Sequence, residues 1–219
     1  MTFENRIPGP RDFAGYVYRL RWHLGAIILL FALFMAMGFA VAAVYPAFTE
    51  STISGFQEEV SPLKEMSALG LTLAIFENNV IKCFLTVVLG LALGIAPIIF
   101  IIANGFVIGI VVGATFVKTG ILYVIVGIVP HGVIEMPMVF ISAAIGLKLG
   151  TDMMRAILSA TGSVFKIDAL TKLDSGAKYI WKDLREALLV FIFWIAPLLL
   201  IAAFLETFVT GTLLYLLTA

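Results

Sequence analysis

Long apolar runs separated by short polar knots are the dominant pattern along this chain. Apolar residues fill Leu24 to Tyr45, Val80 to Ala103, the stretch from Gly105 to Lys118, Ile121 to Leu149, and Ala187 to Leu205. These runs are apolar all round instead of striped, as expected of helices in lipid. A helix needs roughly 20 residues to cross a hydrocarbon core about 30 Å thick. The pattern therefore predicts an all-α, polytopic transmembrane helix bundle with five spans. Two shorter apolar stretches qualify the count. Ala68 to Phe76 is too short to cross alone and reads as an interfacial helix or an extension of span two. Phe208 to Leu217 extends span five, re-enters, lies in the interface, or makes a sixth span.

The flanks set the domain boundaries. Asp12 to His23 mixes Phe13, Tyr16, Val17 and Leu20 with Arg19 and Arg21. That mixture predicts an N-terminal interfacial amphipathic helix, with His23 as an anchor at the membrane edge. Residues 1–23 form this segment, and residues 24–217 form a single membrane domain. The first apolar run has full span length, so it reads as a span and not as the short core of a signal peptide. A polar segment, 151–183, interrupts the domain. Its alternating Lys and Asp residues suggest a solvated face. Trp181, Lys182 and Arg185 read as an interface anchor before span five.

Small residues predict where helices approach closely. Gly90 and Gly94 are four apart, and Gly105, Gly109 and Gly113 share one face of span three. Such spacing favours backbone contact, within the chain or in a homodimer. Connectivity favours the internal contact. Asn104-Gly105 reads as a tight turn between spans two and three.

Composition supports the membrane class. Of 219 residues, 62% are hydrophobic and 13% are charged, against about 25% charged in soluble domains. The formal net charge is zero, so nothing points to nucleic acid. The single cysteine, Cys83, is expected to be a small buried apolar residue. Lys82 is expected to snorkel toward the headgroups. With the N-terminus placed in the cytoplasm, the inner side holds Arg6, Arg11, Arg19, Arg21, Lys148, Arg155, Lys166, Lys172, Lys178, Lys182 and Arg185. The outer side holds Lys64 and Lys118, with Lys82 near it. This asymmetry predicts the cytoplasmic (plasma) membrane, with the N-terminus and 151–183 inside.

The unusual chemistry sits in Pro130-His131-Gly132-Val133-Ile134-Glu135-Met136-Pro137, within the fourth run. Titratable groups at membrane depth are costly and define a candidate site. Pro130 disfavours helical geometry at Val129 and suits a helix start. A broken fourth span is therefore expected, restarting at Pro130 or His131. His131 and Glu135 then share a helix face. Pro137 removes a hydrogen bond to the Val133 carbonyl. A structural bond locking a kink and a functional site fit these residues equally.

The run Ile128-Val129-Pro130-His131-Gly132-Val133-Ile134-Glu135-Met136-Pro137, followed by Ala143-Ala144-Ile145-Gly146-Leu147-Lys148-Leu149-Gly150, resembles the signature of the stage II sporulation protein M (SpoIIM) family. Phe76-Glu77-Asn78-Asn79 and Asn104-Gly105 are similar to further elements of that family, and the resemblance runs from about Leu69 to Leu217. It implies a multi-spanning protein. In spore formers the namesake belongs to a membrane complex that remodels peptidoglycan during engulfment. Many relatives occur in organisms that never sporulate, so the resemblance implies membrane assembly and not the sporulation role.

Helix depth brings further polar residues toward His131 and Glu135. Glu77, Asn78 and Asn79 are expected at the outer end of span two, and Glu206 in the outer part of span five. His131 lies about 15 Å below the outer end of span four at 1.5 Å per residue. These six residues are expected to share an outer-half cavity. Three functions fit: a non-enzymatic scaffold or assembly subunit, which leads; an ion or small-solute transporter or channel; and a divalent-metal protein with His131 and Glu135 as ligands, zinc being one candidate. The His-Glu-x-x-His pattern of zinc proteases is absent, and no catalytic triad order stands out.

Overall fold

The computed structural model describes residues 6–161 and 169–218. The inner charge assigned to Lys166, and residues 162–168 of the polar segment, lie outside the described residues. The chain is an all-α helical bundle, and no strand occurs among the described residues. Helix α1 covers Pro10–Arg19, α2 Arg21–Val44, α3 Pro46–Val60, α4 Ala68–Leu89, α5 Ile95–Thr119 and α6 Ile121–Thr161. A last helical run comprises α7 (Ala169–Val190), a π turn (Phe191–Ile195), α8 (Ala196–Leu205), a second π turn (Glu206–Thr210) and α9 (Gly211–Thr218). Among the described residues, five helical segments are long and apolar enough to cross a membrane: Arg21–Val44, Ala68–Leu89, Ile95–Thr119, Ile121–Ser159 and Gly176–Leu217.

Several boundaries differ from expectation. Span two begins at Ala68 and ends at Leu89, so Glu77-Asn78-Asn79 lies inside a helix and not at its end. The turn between spans two and three falls at residues 90–94, not at Asn104-Gly105. Leu93 and Gly94 have φ of 58° and 75°, a left-handed conformation that glycine adopts at little cost. Asn104 and Gly105 continue α5. The expected interruption at Val129 is also absent: α6 runs helically through Pro130 and Pro137. Transmembrane helices tolerate proline because neighbours and local adjustments re-satisfy the backbone. The tail from Phe208 to Leu217 extends the last span.

Residues group into two compact units. One gathers Met1–Ile27, Lys82–Phe100 and Val139–Pro197; the other gathers Ile28–Ile81, Ile101–Met138 and Leu198–Ala219. In the second unit, the glycine face of α5 packs on α2. A Cβ at Gly105 would lie 2.8 Å from the Phe31 carbonyl oxygen, and one at Gly109 would collide with the Met35 carbonyl oxygen. A Cβ at Gly113 would meet Ala42 Cβ at 2.7 Å, and one on Gly38 would collide with the Phe106 carbonyl oxygen. The glycine face is thus filled from within the chain.

In the first unit, Gly90 approaches the backbone of Gly146, and Gly150 approaches the backbone of Gly94. Ala143, Ala144 and Ile145 are buried around this contact, as is Ser142. The Ala-Ala-Ile-Gly-Leu-Lys-Leu-Gly motif therefore has a packing role. Cys83 is buried, and Lys82 is exposed on α4.

Helix α1 packs within this same unit. Pro10 opens it, and the Gly9 amide donates to Asp12 Oδ2 at 2.9 Å. Phe13 stacks on Trp194 with ring centroids 4.9 Å apart, and Trp194 Nε1 donates to the Pro8 carbonyl at 2.8 Å. Arg19 pairs with buried Glu186 at 2.9 Å. Tyr16 is buried. That burial, followed by the negative charges of Asp183 and Glu186, pushes its phenol above the ordinary value of 10.0, with Arg19 partly offsetting. A phenol raised on folding contributes stability that is complete below pH 10.0 and is lost as the pH climbs past it. Tyr16→Phe is expected to flatten that alkaline loss, read as unfolding midpoint against pH. An identical alkaline slope in both proteins would show that folding does not raise the Tyr16 phenol.

Candidate functional site

The second unit contains one cluster of metal-ligating groups among its described residues. His131 and Glu135 stand one turn apart on α6, and Glu206 opens the second π turn of the last helical run. One ligand atom from each lies within 4.8 Å of the other two, and all three residues are half-buried. The two helical segments run antiparallel here, so His131 sits opposite Thr210 and Glu135 opposite Glu206. His131 Nδ1 and Thr210 Oγ1 are 3.2 Å apart, and Thr210 is buried. One turn back on α6, Gly127 faces the region of Leu214, and Tyr123 Oη donates to the Leu217 carbonyl at 2.9 Å.

The π turn matters to this register. The Gly211 amide bonds to the Glu206 carbonyl, five residues back. Single π turns occur disproportionately at functional sites, and this one holds both Glu206 and Thr210. Thr210 has no distinctive sequence signal. Its role follows only from being four residues beyond Glu206 on the opposing helix.

The other expected polar site residues are on α4, and Glu77 is not among the ligand groups that converge within 4.8 Å. Glu77 and Asn78 are exposed on α4, Asn79 is half-buried, and Asn78 Nδ2 is 3.4 Å from Asn79 Oδ1. Gly132 is buried, and a Cβ there would stand 3.3 Å from Ile128 Cγ2.

The cluster's donor set could hold a cation. Two ionised carboxylates this close repel each other. A cation between them removes the repulsion, and the imidazole supplies a third, nitrogen ligand. At metal–ligand distances of about 2.0–2.2 Å, two donors on one ion can be about 4.4 Å apart at most. Calcium prefers six to eight oxygens, and magnesium keeps several waters. A mixed nitrogen–oxygen set suits zinc or another divalent transition ion.

A separate polar network occupies the first unit. Lys148 Nζ lies between Asp152, at 2.7 Å, and Asp183. Arg155 reaches Asp152 at 3.5 Å. His23 Nε2 lies 3.2 Å from Thr151 Oγ1, so the residue expected as an edge anchor also joins α2 to α6. The Lys148–Asp183 pair spans 35 residues, so local sequence pattern does not reveal it.

Comparison with known proteins agrees with the motifs. An uncharacterized protein of Methanocaldococcus jannaschii is 30% identical over 147 residues, covering 66% of this chain and 74% of its own length. No solved structure matches. The sequence model of the stage II sporulation protein M family matches residues 27–211. With that match covering every candidate membrane span at least in part, the chain belongs to the SpoIIM family of membrane proteins.

Proposed function

We propose that this chain binds one divalent transition-metal ion at His131, Glu135 and Glu206, and serves as a non-enzymatic assembly subunit of the membrane. The observation that carries this reading is the convergence of three ligand groups, from two helical segments, within 4.8 Å. An ion held there ties α6 to the last helical run, so metal binding adds directly to the stability of that packing. The charge asymmetry of the sequence supports a cytoplasmic N-terminus in the plasma membrane.

The test is element-specific metal analysis of detergent-purified protein. Wild type loaded with zinc or cobalt is expected to retain close to one ion per chain. His131→Ala and Glu206→Gln are each expected to weaken retention at least tenfold, in line with loss of about 1.4 kcal/mol or more. Wild type that retains no ion across several divalent metals would overturn the reading. A second reading, cation transport, draws on an open-sided cavity of about 190 Å³ on the same helix pair, lined by Gly127 one turn from His131. Cobalt flux into proteoliposomes that vanishes in Glu135→Gln would favour it over a structural ion.

A further inference from the structure

Helix α1 turns its apolar side to the protein. Phe13, Tyr16, Val17 and Leu20 recur at helical spacing. This side carries the Trp194 stacking contact and the buried Tyr16 and Leu20. An interfacial helix that sinks its apolar face into lipid is therefore not what α1 makes. Its opposite side, Arg11, Ala14, Gly15 and Tyr18, is exposed, and the exposure continues through Arg21 and Trp22 at the start of α2. The charge there is one-sided. Residues 6–27 carry Arg6, Arg11, Arg19 and Arg21 against Asp12 alone. Asp12 pairs with Arg6, and Arg19 pairs with Glu186. Among the described residues, Arg11 and Arg21 have no carboxylate partner.

Arg21 is also held in place. Its guanidinium carbon lies 4.6 Å from the Tyr18 ring centroid and 5.7 Å from that of Trp22. Its Nη1 donates to the Tyr18 carbonyl at 3.4 Å. A guanidinium has five N–H donors in a planar fork, so donors remain for a phosphate, which that fork matches. Trp22 is 77% exposed and stands in the first turn of the candidate span Arg21–Val44. Exposed tryptophan at a span end belongs to the headgroup level of a bilayer, which favours a lipid over a soluble acidic partner. We infer that the exposed side of α1 and its junction with α2 bind anionic phospholipid headgroups, with Arg21, ordered by Tyr18 and Trp22, and Arg11 as the phosphate contacts. Ten residues separate the two arginines, about 15 Å along the helices, so each meets its own headgroup. No residue of the His131 cluster takes part, and the metal reading stands or falls separately.

The probe is an equal mixture of phosphatidylglycerol and phosphatidylcholine, added to the full-length protein in detergent, with retained lipid counted per chain after washing. Wild type is expected to retain phosphatidylglycerol over phosphatidylcholine by at least about fivefold, less so in high salt. Arg11→Gln and Arg21→Gln are each expected to lower phosphatidylglycerol retention about fivefold, the equivalent of about 1 kcal/mol for one basic side chain near an anionic surface, and to leave phosphatidylcholine unchanged. Gly15→Glu places a negative charge on the same side without a clash, since a Cβ there meets nothing within 4 Å. It is expected to lower phosphatidylglycerol retention, and Gly15→Gln is not. Lys118→Gln removes an exposed charge from the last turn of α5 and is expected to change retention less than about twofold. Unfolding midpoints in lipid-free detergent are expected to match wild type for all five variants, which separates lost lipid from lost fold. Equal retention of the two lipids by wild type overturns the inference. So does a preference for phosphatidylglycerol that survives in the Arg11→Gln, Arg21→Gln double variant, or a loss in Lys118→Gln as large as in Arg21→Gln.

Discussion

Gly109→Leu is expected to be among the most destabilising single substitutions in this protein. A Cβ at residue 109 would fall inside the contact radius of the Met35 carbonyl oxygen, with the Met35 carbonyl carbon and the Phe39 amide nitrogen each 2.9 Å away. These are backbone atoms, so no rotamer change relieves the clash. Helices α2 and α5 must separate, which also loosens the contacts at Gly105, Gly113 and Gly38 on the same seam. Overpacking with backbone displacement costs on the order of 3 kcal/mol, and sometimes more. Thermal unfolding in detergent is the measurement, with Gly25→Leu as control. Gly25 is also helical, but a Cβ there meets nothing within 4 Å. A Gly109→Leu midpoint equal to that of the control would mean that α2 and α5 do not touch along this seam.

Lys148→Met is the second large effect. Its ammonium lies between Asp152 and Asp183, with side chains 21%, 9% and 18% exposed respectively. Methionine keeps most of the stem's packing and removes the charge. Two aspartates from α6 and α7 then face each other in a poorly solvated position. Removing one partner from a buried ion pair costs about 3 kcal/mol, which Arg155, exposed and 3.5 Å from Asp152, offsets only in part. Adding Asp183→Asn should return part of that loss, since it removes one of the repelling charges. A double-mutant cycle on unfolding free energy isolates this term. Strictly additive losses from Lys148→Met and Asp183→Asn would show that the two side chains do not interact. High salt should change the result little, because screening acts mainly on exposed pairs.

The glycines show where sequence reading and structure part. Gly105, Gly109 and Gly113 are spaced four apart, and helical periodicity alone places them on one face. Which helix that face meets is a question of tertiary packing, and the answer is α2. Gly90 and Gly94 have the same spacing but a different use. Gly94 closes a left-handed turn, and only its backbone angle reveals this. Asn104-Gly105 carries the same local turn chemistry as many loops, yet it lies within α5. The packing of Gly105 against Phe31 outweighs the local preference of an Asn-Gly pair. Pro130 is a comparable case. Its sequence context disfavours a helix at Val129, and the membrane bundle accommodates the helix regardless.

The membrane class, the count of spans, the all-α fold and the pairing of His131 with Glu135 on one face follow from the sequence by itself. Each depends on hydrophobicity or on a periodicity of a few residues, and such signals are local. Only the tertiary structure decided that Glu206 and Thr210 stand opposite that pair. It also decided that Lys148 lies between aspartates on two helices, and that an apolar chamber opens beside Gly127. These depend on helix register and rotation across long sequence separations. Register is set by the sum of many packing contacts, including the close glycine approaches and the π turn that aims Glu206, and no short motif encodes that sum.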